Sequence, residues 1–122
     1  MSKQKTVVYN AVMSSSDHPT ADMVLSRCKE VMPSINLATV YRNLNALIKE
    51  GAIQKIMVDG GDRFDKTLGT HAHFQCRVCN VVFDVDGVDL SCIKEGLNGI
   101  ANQVEDVDVT FKGVCQSCLN LN

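Results

Sequence analysis

Two Cys-x-x-Cys pairs, Cys76/Cys79 and Cys115/Cys118, constrain this chain more than any other feature. A two-residue spacing lets one tight turn deliver both sulfurs of a pair, and four thiolates suit a closed tetrahedral zinc site. Each pair follows a predicted strand, and a predicted helix and strand separate the two. A thioredoxin-type dithiol would need a βαβ context and only one pair. With 122 residues the chain forms one domain, or two small ones that share a linker. Units of about 60 residues bury only a small core, so a staple is expected. A structural zinc contributes about 10 to 16 kcal/mol in small zinc-finger peptides, enough to fold such a unit. The remaining cysteines, Cys28 and Cys92, sit on the apolar sides of predicted helices, where a lone Cys behaves as a small hydrophobe.

The opening MSKQKTVVYN lacks the apolar run of a signal peptide, and no stretch approaches the roughly 20 apolar residues of a membrane span. A cytoplasmic protein without membrane association is expected, and there paired cysteines favour metal or redox chemistry over disulfides. The net charge of −2 argues against nucleic-acid binding until it is divided by position. Residues 1–58 carry seven Lys/Arg and four Asp/Glu, net +3; residues 59–122 carry five and ten, net −5. A basic front and an acidic back suggest a DNA-facing unit joined to a metal-binding or partner-binding one.

Hydrophobic spacing predicts a first helix from Lys3 to Met13, through Val7, Val8, Ala11 and Val12. A second begins at an N-cap Thr20, carries Met23, Val24, Cys28 and Val31 on its apolar side, and stops before Pro33. From Asn36 a third places Leu37, Val40, Leu44, Leu47 and Ile48 on one stripe and closes at Gly51. Two short runs around Asp59-Gly60-Gly61 then read as a β-hairpin. Three helices and a hairpin make a winged helix-turn-helix. In the back half, HAHFQC and VVFDVD flank the first knuckle as strands, residues 88–104 have mostly helical spacing, and VDVTFKGVC alternates Val107, Val109 and Phe111 against polar residues. The fold expected is α+β: a winged-helix DNA-binding domain over residues 1–66, joined to a small ββαβ dimerisation domain over residues 67–122.

If four sulfurs complete one ion, His71 and His73 are left over. Two apart on a strand, they point to one face and can reach a single ion; solvent-exposed histidines are the plain alternative. His18 precedes the second helix, Asp65 ends the hairpin, and Asp84 lies where it could flank the His-x-His strand. Three nitrogens and two carboxylates suit a borderline divalent ion such as Fe(II), Mn(II) or Zn(II). An ion held by all five would clamp the two halves in one orientation, and ligands divided across a hinge supply the differential affinity a switch needs.

In order and over nearly the whole chain, H18-P-T-A-D22, N36-L-A-T-V-Y-R-N-L44, G61-D-R-F-D65, H71-A-H73-F-Q-C-R-V-C79 and G113-V-C-Q-S-C118 resemble the ferric uptake regulator family. Aspartates at Asp65 and Asp84, where iron-uptake regulators typically have glutamates, make the chain most similar to the peroxide-sensing branch. The resemblance implies a homodimeric, metal-dependent repressor and no enzyme. It implies a structural zinc on Cys76, Cys79, Cys115 and Cys118, and a regulatory Fe(II) or Mn(II) site at His18, Asp65, His71, His73 and Asp84. It further implies that peroxide, with Fe(II) bound, oxidises His18 or His71 and releases DNA, which Mn(II) does not support. The family's additional metal site looks absent, because the positions flanking the His-x-His are Thr70 and Ala72. The chain also departs from the family in starting close to its first helix, in having Asn80 where a glycine commonly follows the first knuckle, and in Tyr41-Arg42, which look more like iron regulators.

The third helix is the expected recognition helix. Thr39, Arg42, Asn43 and Asn45 lie opposite its apolar stripe; Arg pairs bidentately with guanine and Asn with adenine. Tyr41, which could instead pack in the core, matches a family position that contacts thymine-rich sites. Lys3, Lys5, Lys49 and Lys55 are candidate phosphate contacts, and a dimer would read an inverted repeat in double-stranded DNA. Rival readings are a metal-uptake regulator in which occupancy alone is the signal, a metallohydrolase built on His71, His73 and an Asp, and a structural zinc module that binds another protein. The hydrolase would need a substrate cleft and a general base near the ion, and it leaves the helix-turn-helix unexplained.

Overall fold

The structure, a computed structural model, describes residues 1–67, 72–89, 91, 96, 103 and 107–120. His71 and Cys92 lie outside them, as does most of the helix predicted over residues 88–104. The architecture is α+β, in two compact units, Met1–Leu68 and Gly69–Asn122. No helix among the described residues is long and apolar enough to cross a membrane.

In the first unit, α1 (Lys3–Met13), α2 (Ala21–Val31) and α3 (Leu37–Lys49) precede the antiparallel pair β1 (Gln54–Ile56) and β2 (Arg63–Asp65). Each helix starts where a side chain can accept one of its free amides: Ser2 from Lys5, Thr20 from Met23 and Asn36 from Thr39. α3 ends in a Schellman turn, with the Ala52 amide donating to the Leu47 carbonyl and that of Gly51 to Ile48. Gly51 sits at φ +77°, where a Cβ would be strained. Val8, Val12, Val24, Leu44, Leu47 and Phe64 form the centre of the core. Cys28 is fully buried among them, and burial pushes its thiol pKa up, as befits an inert hydrophobe.

Two predicted apolar stripes run further than the core. Val31, 74% exposed, is the last residue of α2, and Leu37, 36% exposed, is the first of α3. Conversely, Thr39 and Asn43 lie on the buried side of α3 and not opposite its stripe. Asn43 can be buried because its Nδ2 donates to the Thr39 carbonyl at 2.8 Å, satisfying the amide within the helix.

Among its described residues the second unit forms a three-stranded sheet of order β4-β3-β5, from β3 (Ala72–Cys76), β4 (Val82–Val85) and β5 (Val109–Gly113). β3 runs antiparallel to β4 and parallel to β5. A short helix, α4 (Gln116–Leu119), follows. Four residues are too few to show a periodicity, so the sequence contains no sign of it. β5 is shorter than its alternating pattern, and Phe111 is 42% exposed because the strand is an outer one. The turn after Cys76 closes with the Asn80 amide on the Cys76 carbonyl, and Asn80 sits at φ +66°. Asparagine tolerates this left-handed conformation better than other side chains, which explains how it stands where a glycine is usual.

Candidate metal centres

The two knuckles meet. The Sγ atoms of Cys76, Cys79, Cys115 and Cys118 all lie within 4.8 Å of one another, and Cys79 Sγ is 3.7 Å from Cys115 Sγ. A tetrahedron with Zn–S bonds of about 2.3 Å places its sulfurs roughly 3.8 Å apart, so the donor set fits zinc in both chemistry and spacing. β3 delivers Cys76 and the following turn Cys79; Cys115 caps α4, and Cys118 lies one turn later. Amides of Val78, Cys79 and Cys115 point at Cys76 Sγ from 3.4, 3.5 and 3.4 Å. The Cys115 and Cys79 amides are the main reasons why the Cys76 pKa is lowered to about 6. Cys118 is pushed up to about 12, first by its hydrogen bond with the Cys115 thiol and then by burial. Four thiols packed together cannot all ionise unaided, and a dication removes that conflict.

The second set of candidate donors comprises two His–Asp pairs, one within each unit. In the first unit, His18 Nε2 lies 3.5 Å from Asp65 Oδ2, with both residues buried. The other carboxylate oxygen of Asp65 accepts from the Thr67 amide at 2.9 Å, which fixes the orientation of the group. His18 is placed by pairing of its segment with the hairpin: Thr20 bridges to Arg63, and the Phe64 amide donates to the Pro19 carbonyl at 2.9 Å. In the second unit, strand register sets His73 directly opposite Asp84, and Nε2 of the buried imidazole is 3.2 Å from Oδ1. Two ligands bound about 2.1 Å from one ion stand roughly 3.0 to 3.4 Å apart at cis or tetrahedral positions, so each pair by itself has close to the spacing of two ligands on a divalent ion.

On α3, Arg42 and Asn45 are exposed, as expected opposite the stripe, and so is Tyr41, which the sequence left open to packing in the core; Thr39 and Asn43 are not available as a free polar face. Of the candidate phosphate contacts, Lys3 and Lys49 are exposed, Lys5 pairs with Glu50, and Lys55 Nζ stands 3.9 Å from Asp62. Sequence reasoning missed Arg63, whose Nη1 donates to the His18 carbonyl at 3.0 Å. Strand alternation was the available signal, since Arg63 shares a face with Asp65.

The family model of the ferric uptake regulator family matches residues 1–111. The peroxide-responsive repressor PerR of Staphylococcus epidermidis is 30% identical over 121 residues, covering 94% of this chain and 78% of that protein. The fold is similar to the Campylobacter jejuni peroxide stress regulator, with TM-score 0.80 and 31% identity over 94% of this chain and 88% of that one. It is also similar to the Helicobacter pylori ferric uptake regulator Fur, a protein with three functional metal-binding sites, at TM-score 0.83 and 20% identity over 98% and 81% of the two chains. Matched along most of its length, and with the family's cysteine knuckles brought together in space, the chain belongs to the ferric uptake regulator family.

Proposed function

We propose that the protein is a cytoplasmic, metal-dependent transcription repressor that binds double-stranded DNA as a homodimer and senses peroxide through a regulatory Fe(II) or Mn(II) site. The observation that carries this reading is the presence of a buried His beside an Asp in each of the two units, His18 with Asp65 and His73 with Asp84. In this reading residues 1–66 are a winged helix-turn-helix and residues 67–122 the dimerisation domain. His18, Asp65, His71, His73 and Asp84 hold one exchangeable ion, while the four cysteines hold zinc permanently. Similarity to a peroxide-responsive repressor and a peroxide stress regulator, together with aspartate at both carboxylate positions, favours peroxide over metal supply as the signal.

Tyr41, Arg42 and Asn45 read base edges from α3, with Lys3 and Lys49 against phosphates. Bound by these residues, Fe(II) would supply the redox chemistry by which hydrogen peroxide passes one oxygen to a ligand histidine and leaves as water; Mn(II) would not. An oxidised His18 or His71 is a poorer ligand, so the two units lose the shared ion that ties them together and the DNA-binding orientation is no longer favoured. The test is operator binding by zinc-loaded protein carrying Fe(II) or Mn(II), before and after mild peroxide. Only the Fe(II) form should release DNA, with one oxygen gained on a peptide containing His18 or His71. Release by metal withdrawal alone, with no response to peroxide, would identify an uptake regulator instead.

A further inference from the structure

Three consecutive residues of β2 hold the segment that carries His18. Arg63 Nη1 donates to the His18 carbonyl at 3.0 Å, the Phe64 amide donates to the Pro19 carbonyl at 2.9 Å, and the Asp65 carboxylate faces the His18 imidazole at 3.5 Å. Alternation puts the Arg63 and Asp65 side chains on one face of the hairpin and Phe64 on the other, in the core. One strand face therefore grips a single histidine at both its backbone and its ring. The preceding residue is anchored separately. Asp17 accepts two bonds from Arg27, at 3.0 and 2.9 Å, and Arg27 also donates to Ser15 Oγ at 2.7 Å. A loop that would otherwise pay its ordering entropy when the ion binds is thus ordered beforehand.

We propose that Arg63 is a positioning residue for the regulatory metal: by holding the His18 carbonyl it presets the His18–Asp65 pair. This rests on the regulatory site of the preceding subsection. Arginine suits the task because its guanidinium is rigid and permanently charged, so a fixed donor meets a fixed carbonyl. The role is distinct from that of a ligand. Losing Arg63 leaves every donor atom in place and weakens the ion through disorder, whereas losing His18 removes a donor.

The test titrates Mn(II) into zinc-loaded wild-type protein and the His18→Ala, Arg63→Met and Arg63→Lys variants, with operator binding measured at each metal concentration. Arg63→Met should weaken Mn(II) binding roughly 10- to 100-fold, the usual range for partners that orient a ligand. It should recover wild-type DNA affinity at saturating Mn(II), retain its zinc and keep its melting temperature. Arg63→Lys, which keeps a donor, should fall between the two. Faster hydrogen exchange in metal-free Arg63→Met at the Phe64 amide, which bonds the His18-bearing segment, would report the lost order directly. Unchanged Mn(II) affinity overturns the proposal. So does DNA binding that stays weak at saturating metal, since Arg63 would then contact DNA or support the fold. His18→Ala separates the two readings: if it binds Mn(II) as wild type does, the regulatory site is wrong and the role of Arg63 falls with it.

Discussion

Asp17 and Asn80 show how single side chains settle local questions in this protein. Asn80 holds a left-handed turn, at φ +66°, that the first knuckle needs to return its chain to β4. Asp17 is bound bidentately by Arg27, and this hydrogen-bonded guanidinium holds its pKa below the usual 3.8. A carboxylate whose pKa is depressed by folding stabilises the fold above its unfolded pKa and ceases to do so as pH falls through the folded value. The Asp17→Asn variant should therefore be less stable than wild type at pH 7, and the difference should shrink as acid titrates the carboxylate through its depressed folded value. With the Arg27 and Asp17 side chains 35% and 42% exposed, solvent screening keeps the difference at neutral pH below about 1 kcal/mol. Denaturant unfolding followed by tyrosine fluorescence measures it cleanly, because the two tyrosines, Tyr9 and Tyr41, both lie in the first unit. A gap of the same size at neutral pH and in acid strong enough to protonate the carboxylate would assign the effect to packing and not to charge.

Among the elements, what could be read from sequence divides by the range of the forces involved. Caps are local: Thr20, Asn36 and Gly51 each act within a few residues, and each marks a helix end correctly. The cross-strand placement of His73 and Asp84 was legible because a tight knuckle fixes the register of the strands on either side. The outer limits of the apolar stripes were not, since whether Val31 and Leu37 find a neighbour depends on where other helices end. Thr39 and Asn43 fail for the opposite reason. The buried arc of α3 is wider than its apolar stripe, and an internal hydrogen bond lets an amide enter it. The two asparagines of α3 should consequently behave differently. Asn45→Ala and Arg42→Ala should weaken operator binding by about 1 to 3 kcal/mol without altering the melting temperature. Asn43→Ala should lower stability by about 1 kcal/mol, the value of a buried hydrogen bond, with DNA affinity following only as the fold is lost. Calorimetric melting beside DNA titration separates the two, and a stable Asn43→Ala protein with impaired DNA binding would return Asn43 to the reading face.

The two units draw on different sources of stability, which gives the whole chain a testable order of unfolding. The first has a continuous apolar core of helix and hairpin residues and contributes none of the four clustered cysteines. In the second, the buried cluster among the described residues is Cys76, Cys115 and Cys118 themselves, with Phe74 and Val114 packed against them. Among the described residues that cluster and the metal ligands are nearly the same atoms. Net domain stability is commonly about 5 to 15 kcal/mol, while a structural zinc contributes about 10 to 16 in small peptides. Zinc removal thus withdraws as much as the second unit can have, and little from the first. A strong chelator at neutral pH should abolish amide protection across the sheet, including the Arg77 amide that bonds the Gly113 carbonyl at 2.8 Å. Protection in α1 to α3 and the tyrosine signal should persist, and should be lost only at higher denaturant. Cys118→Ser should mimic the chelator at the same sheet amides, since three thiolates no longer close the tetrahedron. If both sets of amides lost protection together on chelation, the first unit would owe its stability to the second. The exchangeable ion would then act on one cooperative body, and could not work by joining two independently folded ones.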